Sequence, residues 1–254
     1  MKNNFKKLLE KLKTIKALGV IGIKTSFEDE GVIFEDVFTI KRMTSLSGLD
    51  TFVKIGGCEA LTDINNCSNI GIDNIIAPMV ETKFALSKFI KSVKNKSNTK
   101  FYFVCETKTA LSNLTEMLDS DKDKVLSGMI VGRSDLTSSF SMEKQEVDSD
   151  FICSEVEIAL QKAKNKNLET TLGGNISKKS VDFIKKMYNK NLLDKIETRN
   201  VVISLKDSNI NDLENIIKKA LAFEIEWMNY KASKYLGIGN LYTERINVLK
   251  KRIN

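Results

Sequence analysis

The sequence predicts an α/β fold closed into a (β/α)8 barrel, carried as a single domain over residues 1–254. Three observations lead there. Short apolar runs rich in β-branched or aromatic residues alternate with longer stretches of helical period. Charged or glycine-rich residues stand at the carboxyl end of each run. From Lys24 to Lys54, Pro78, Glu106, Asp135, Asn175 and Arg199 the intervals are 30, 24, 28, 29, 40 and 24 residues, each long enough for one βα unit.

The elements follow in order. Phe5, Leu8, Leu9, Leu12 and Ile15 repeat at helical spacing, so residues 3–17 read as an amphipathic helix that caps the barrel. The apolar runs then fall at residues 19–23, 51–53, 74–77, 101–105, 128–131, 168–172 and 196–203. Buried parallel strands are almost uniformly apolar, so charge at one end of each run marks where the strand leaves the core. An open doubly wound sheet competes with the barrel, and its nucleotide-binding form needs a glycine-rich turn after the first strand. Lys24-Thr25-Ser26-Phe27-Glu28 contains no glycine, which favours closure. Seven strands are evident, and the eighth lies either in a split of 196–203 or in 31–34. Leu213, Ile216, Ile217, Ala220, Leu221, Ile225 and Met228 mark a long helix, with a break at Gly237 before a final basic helix, in a helical region over 212–254.

The composition narrows the chemistry. There is no histidine among the 254 residues, which excludes Ser-His-Asp and Cys-His nucleophile pairs and any His-bearing zinc site. Acid-base work falls to Asp, Glu, Lys, Tyr, Cys, a metal-bound water or the substrate. Cys58, Cys67, Cys105 and Cys153 form no Cys-x-x-Cys pair. Lysines interrupt the first apolar stretch, so no secretory signal is expected and reduced thiols in the cytoplasm are. No window approaches the roughly 20 apolar residues of a membrane span. The net charge of +7 comes from lysines spread along the chain among acids, a solvated surface rather than a nucleic-acid footprint. The expected partner is a small molecule, with neither nucleic acid nor membrane.

In a barrel, Lys24, Lys54, Glu106, Asp135, Asn175, Glu197 and Arg199 converge on one mouth. Glu106 and Asp135 end adjacent strands, where two carboxylates can hold one Mg2+ or Mn2+ while waters and substrate oxygens complete the shell. Such an ion would bind a 2-oxo acid and act as a Lewis acid. The alternative is that the two carboxylates merely pair with Lys54 or Arg133. Lys54 also admits Schiff-base chemistry with a carbonyl substrate. Arg199 either binds a distal anionic group or braces Glu197. Glu28 and Glu30 either carry an acid-base group or begin a helix, and Glu81 is a further candidate base. Strand alternation points Cys105 away from the side that Glu106 faces. Trp227 and Met228 read as core or subunit-interface packing.

The stretches Val53-Lys54-Ile55-Gly56-Gly57, Gly71-Ile72-Asp73-Asn74-Ile75-Ile76-Ala77-Pro78-Met79-Val80-Glu81-Thr82, Cys105-Glu106-Thr107 and Gly128-Met129-Ile130-Val131-Gly132-Arg133-Ser134-Asp135-Leu136-Thr137 carry a resemblance. In order and register they are similar to the HpcH/HpaI aldolase and citrate lyase family, of the phosphoenolpyruvate/pyruvate barrel superfamily, from about residue 19 to 175 and on to 199. The resemblance implies Glu106 and Asp135 as ligands of Mg2+ or Mn2+, and a carboxylate held near Gly132, Ser134, Gly173 and Gly174; Lys24, from its place at the first strand end, is expected on the substrate side. The resemblance also implies a lyase or aldolase working through a 2-oxo acid enolate, with Lys54 at the family's substrate-contacting position; the strand-end reading adds Arg199 as a second catalytic cation orienting anionic substrate groups. A citrate-lyase-beta-like enzyme acting on an acyl thioester is the alternative within the class. The sequence departs from the family twice. Lys54 stands where the family has Arg, which keeps the charge but gives up the planar fork, and the aldolase branch's histidine is missing. Both departures motivate a third reading, a catalytically silent barrel used for binding. The apolar C-terminal helices lead to an expected homo-oligomer.

Overall fold

The computed structural model describes residues 2–27, 32–94, 96 and 98–253. Its strands close into one barrel in chain order, β1 (Val20–Ser26), β2 (Asp50–Lys54), β3 (Asn74–Ala77), β4 (Lys100–Cys105), β5 (Gly128–Gly132), β6 (Glu169–Gly173), β7 (Lys195–Glu197) and β8 (Val201–Ser204). The helices are α1 (Lys2–Lys16), α2 (Phe34–Ser47), α3 (Leu61–Ile70), α4 (Lys83–Val93), α5 (Lys108–Leu118), α6 (Arg133–Ser139), α7 (Asp150–Lys164), α8 (Val181–Asn189) and α9 (Leu213–Ile253). The closed barrel and its strand rhythm are those the sequence predicts.

The eighth strand comes from the split of 196–203. Phe34 begins α2, and Gly31 lies outside the described residues. Only Thr198, Arg199 and Asn200 separate β7 from β8. A parallel crossover needs a dozen or more residues, so β8 has to return against β7. It pairs antiparallel on both sides, with Ile196 opposite Ile203 and Gly22 opposite Val202. The other strand pairs are parallel.

Successive side chains on a strand face opposite ways, which separates two cores. Phe52, Ile76, Tyr102, Val104, Ile130 and Val202 pack together inside the barrel. Val53, Ile75, Phe103, Met129 and Ile196 belong to the larger core beneath the helices. Gly22 leaves room for the inner rings, since a Cβ there would lie 2.4 Å from the Phe52 ring. The same alternation carries Lys54, Glu106 and Gly132 to the carboxyl end of the barrel. At the amino end it places Tyr102, Glu169 and Lys195, where Lys195 Nζ and the Tyr102 hydroxyl each donate to Glu169 Oε2 at 2.6 Å.

All four cysteines are free, and Cys105 faces the outer core, where burial pushes its thiol up to about 12. The apolar stripe of α1 is buried through Leu8, Leu12 and Ile15, with α1 lying along α9. The expected break at Gly237 is absent, and α9 continues to Ile253. Glycine in a helix interior costs only about 1 kcal/mol, and Gly237 does not adopt the positive φ that would stop the helix.

α9 is clamped to α2 through Asp36, which is fully buried. Asp36 accepts hydrogen bonds from the Tyr235 hydroxyl and from Lys234 Nζ at 3.2 Å, and Lys231 Nζ lies 3.5 Å away. Burial alone would raise its pKa, but those bonds and the Lys231 charge outweigh it and hold the carboxyl below the ordinary 3.8. Asp36→Ala, which takes the carboxylate partner from the buried Lys231 and the half-buried Lys234, is expected to cost about 3 kcal/mol in urea denaturation. A depressed folded pKa stabilises above the ordinary value. The Asp36 contribution is therefore present above pH 3.8 and lost as pH falls through the lower folded value. Asp36→Asn removes that part of the acid dependence.

Candidate active site

The carboxyl ends of the strands surround a cavity of about 560 Å3. Lys24, Lys54, Glu106, Gly132, Ser134, Asp135, Gly174 and Arg199 all line it, together with Asn175 and Glu197. Gly173, the remaining residue expected at the site, lies outside that lining, beneath Glu197.

Glu106 sits immediately beyond β4 and is 5% exposed. Its Oε1 accepts from the Met79 backbone N–H at 2.8 Å. Met79 follows Pro78 at the top of β3 and adopts φ +52°, an uncommon conformation for a residue with a Cβ, so the turn that aims this amide carries local strain. The other carboxylate oxygen lies over Gly132, where a Cβ would approach it to 2.7 Å. Gly173 stands in the same relation to Glu197, with a Cβ falling 2.9 Å from Oε1. These two glycines are therefore spacers that let carboxylates stand across neighbouring strand ends. Gly174 serves a different contact. It has φ +81°, and a Cβ on it would meet the Ser134 backbone nitrogen at 2.4 Å.

Asp135, in the first turn of α6, lines the cavity beside Glu106, close enough for its charge to act on the Glu106 carboxyl. Burial pushes the Glu106 carboxyl up to about 6; the Asp135 charge adds to the rise, while the Met79 bond and the Lys54 charge oppose it. Two neighbouring carboxyls form a site where a cation can relieve their mutual repulsion. Among the described residues no group of three or more His, Cys, Asp or Glu could hold a metal. Two oxygen donors with open positions suit a hard ion that retains water, as Mg2+ does, and not a fully protein-ligated one. The residues present fit the expected Mg2+ or Mn2+.

The cations are not equivalent. Lys24 makes an ion pair with Glu197, which is 6% exposed, so the group bracing Glu197 is Lys24. Lys54 lies close enough to Glu106 to act on its charge. Arg199 is at the exposed apex of the β7–β8 turn. Arg133 does not pair with Glu106 or Asp135. It is fully buried and donates to Asp148 Oδ1 at 2.5 Å, Ser180 Oγ at 3.0 Å, and the carbonyls of Val147, Gly173 and Gly174 at 3.2, 3.3 and 3.1 Å. It ties the ends of β5 and β6 to the segment before α7. Glu81 accepts from Thr107 Oγ1 at 2.7 Å and is not among the residues lining the cavity. Glu28 and Glu30 lie outside the described residues.

Sequence reasoning missed Arg133 as a brace and Glu224 altogether. An arginine between Gly132 and Ser134, directly after a buried strand, was the available signal for the first. Glu224, on α9, lines the cavity and bonds the β7–β8 turn, and nothing in its local sequence marks it.

Among solved structures, the chain is similar to a variant of the citrate synthase SbnG at 13% identity and a TM-score of 0.60, over 86% of this chain and 89% of that one. It is also similar to the HpcH/HpaI aldolase from Desulfitobacterium hafniense, at 11% identity and 0.59, over 84% and 95%. A HpcH/HpaI aldolase/citrate lyase family protein from Burkholderia cenocepacia gives 12% and 0.58, over 78% and 83%. The chain shares the fold of the HpcH/HpaI aldolases. No protein-family model matches the chain, and no curated protein sequence does. At these identities the likeness to HpcH/HpaI structures establishes the barrel, while residue roles rest on the site's own chemistry.

A raised carboxyl pKa destabilises the fold once the group ionises. The difference between 4.5 and about 6 corresponds to about 2 kcal/mol. Stability from this group is greatest below pH 4.5 and declines as pH rises toward 6. In EDTA, Glu106→Gln is therefore expected to exceed the wild type in urea denaturation by up to about 2 kcal/mol at pH 8. The gap should close in acid.

Proposed function

We propose that the protein is a divalent-metal-dependent carbon–carbon lyase or aldolase that acts through the enolate of a 2-oxo acid of the pyruvate type. The observation that carries this reading is the Glu106–Asp135 carboxyl pair at the barrel mouth with Lys54 beside it. Mg2+ or Mn2+, held by those two carboxylates, would supply a Lewis acid for the substrate's carboxylate and keto oxygens.

The remaining work belongs to the chain. The Met79 amide fixes the orientation of Glu106. Lys54 offers an ammonium to the substrate's developing oxyanion, as a point charge without a second fixed donor. Arg199 offers a planar fork to an anionic group farther out. With no imidazole present, the proton leaving the substrate passes to water or to a mouth carboxylate, and Glu197 is the one outside the Glu106–Asp135 pair on the strand ends. We further propose a homo-oligomer. Leu236, Leu241 and Ile246 on the distal part of α9 are at least half exposed, which favours a covering protein surface. Among the described residues no helix is long and apolar enough to cross a membrane.

The test is proton exchange. In deuterated water with Mg2+ or Mn2+, the protein should remove the methyl proton signal of pyruvate, and EDTA should stop the exchange. Glu106→Ala should slow it by about 100-fold or more. Absence of exchange with either metal, or an undiminished rate in Glu106→Ala, overturns the reading.

A further inference from the structure

The barrel has a second cavity, at the end opposite the mouth. There the amino ends of the strands surround a space of about 560 Å3, as large as the mouth itself. The amino end of a (β/α)8 barrel is ordinarily its structural end, and part of this lining is structural. Glu169 and Lys195 satisfy one another, Asp194 accepts from Lys164 Nζ and from the Thr170 N–H, and Asp207 accepts the Ser204 hydroxyl at 2.7 Å.

A second set of lining groups has no such closure. Asp50, exposed at the start of β2, makes no ion pair among the described residues, and its partner is Asn74 Nδ2 at 3.3 Å. Asn74 begins the adjoining β3 and is 1% exposed, and its Nδ2 also donates to the Thr51 carbonyl at 3.4 Å. Both partners of Nδ2 are acceptors, which fixes the orientation of the amide. Oδ1 is thereby left as a buried acceptor with no donor among the described residues, a costly state. Cations stand on the β1 side of this corner. Lys16 Nζ donates to the Ser47 and Gly48 carbonyls at 2.9 Å each, just before Asp50 in the chain, and pairs with no carboxylate among the described residues. Lys206 follows β8, which lies beside β1; it is exposed and makes no hydrogen bond or ion pair among the described residues. Val20, Leu49 and Phe52, all buried, give the cavity an apolar wall.

We propose that this amino-end cavity is a second ligand site, for a free α-amino acid with an apolar side chain. The ligand's ammonium lies on Asp50 and Asn74 Oδ1, its carboxylate on Lys16 and Lys206, and its side chain against Val20, Leu49 and Phe52. A carboxylate without a cation and ammonium groups without a carboxylate, on one wall, are complementary to a zwitterion. A simple anion would leave Asp50 uncompensated, and a simple amine would leave the two lysines so. The ammonium also brings the donor that Asn74 Oδ1 lacks. A space of this size takes a side chain as large as that of leucine or phenylalanine. The site is independent of the chemistry at the mouth and of any metal there.

The experiment titrates the full chain, in EDTA, with L-leucine and L-phenylalanine by calorimetry. Each is set beside the acid that lacks its amino group, 4-methylpentanoate or 3-phenylpropanoate, and the amine that lacks its carboxylate, 3-methylbutylamine or 2-phenylethylamine. At least one amino acid should bind, at least about tenfold more tightly than either of its counterparts. Asp50→Asn and Lys206→Ala, both at exposed positions, should each weaken that binding at least about fivefold, with melting temperatures verifying that the variants are folded. Glu106→Gln, at the other end of the barrel, should leave it unchanged. Binding of neither amino acid overturns the site. A counterpart that binds as tightly as its amino acid overturns the zwitterion as the ligand. Unchanged binding in Asp50→Asn or Lys206→Ala, or loss of binding in Glu106→Gln, overturns the placement at the amino end.

Discussion

A three-residue connection governs the architecture of the mouth. Thr198, Arg199 and Asn200 cannot span the barrel, so β8 pairs antiparallel with both β7 and β1. In an all-parallel barrel the last helix would descend from the mouth. Here α9 ascends to it, which is why a C-terminal helix supplies Leu221 and Glu224 to a cavity otherwise built from strand ends. The clamp on Asp36 is a second consequence, because only an ascending helix brings Lys231, Lys234 and Tyr235 to the start of α2. Barrel closure, the wall of the mouth and the anchoring of α9 thus follow from one short turn.

The inner faces of the strands distribute polarity in layers. Val104, Ile130, Ile76 and Val202 make a dry middle, with Tyr102, Glu169 and Lys195 at one end and Glu106, Lys54 and Glu197 at the other. Charges in such positions are tolerated only when paired and hydrogen-bonded. At the amino end the pairing is complete in itself, with an ammonium, a carboxylate and a phenol. At the mouth, Glu106 is raised by burial first and by the neighbouring Asp135 charge second, so it holds its proton more tightly. Structural charge and candidate chemical charge are thereby separated by a hydrocarbon layer. Arg133, wholly buried with five hydrogen bonds, holds the mouth's loops without facing the cavity itself.

Much of the barrel was legible because apolar runs with charged ends are what buried parallel strands require. The direction of β8 was not. Its run, 196–203, reads as one continuous strand, and Thr198-Arg199-Asn200 lacks the glycine that announces a tight hairpin. Gly237 misled for a related reason, since a glycine marks a helix end only where the backbone turns left-handed and here it does not. At the site, the sequence located the strand-end residues but not their pairings. Nothing local couples Lys24 to Glu197, 173 residues away, or Glu224 to Thr198, 26 residues away. Gly132 and Gly173 were expected near a bound carboxylate. Their structural meaning, room for Glu106 and Glu197, depends on register across strands, which one strand's sequence does not contain.

The absence of histidine acquires a physical meaning at this mouth. Of the described carboxyls with a clear shift, Asp36, Glu157, Glu169 and Asp194 are lowered, and Glu106 is the one raised, to about 6. Glu106 is also one of the two oxygen donors that fit a cation, and a cation competes for the site its proton occupies. Cation binding would therefore remove from the mouth the one carboxyl poised toward neutrality. An imidazole elsewhere in the cavity could hold a proton through that exchange, but this chain has none to offer. On the proposed function, proton transfer would run between the substrate and water, or through Glu197, which is paired with Lys24. On that proposal the substrate would have to be acidified where it binds, so the carboxylate pair, and not a strong protein base, would carry the burden of the reaction.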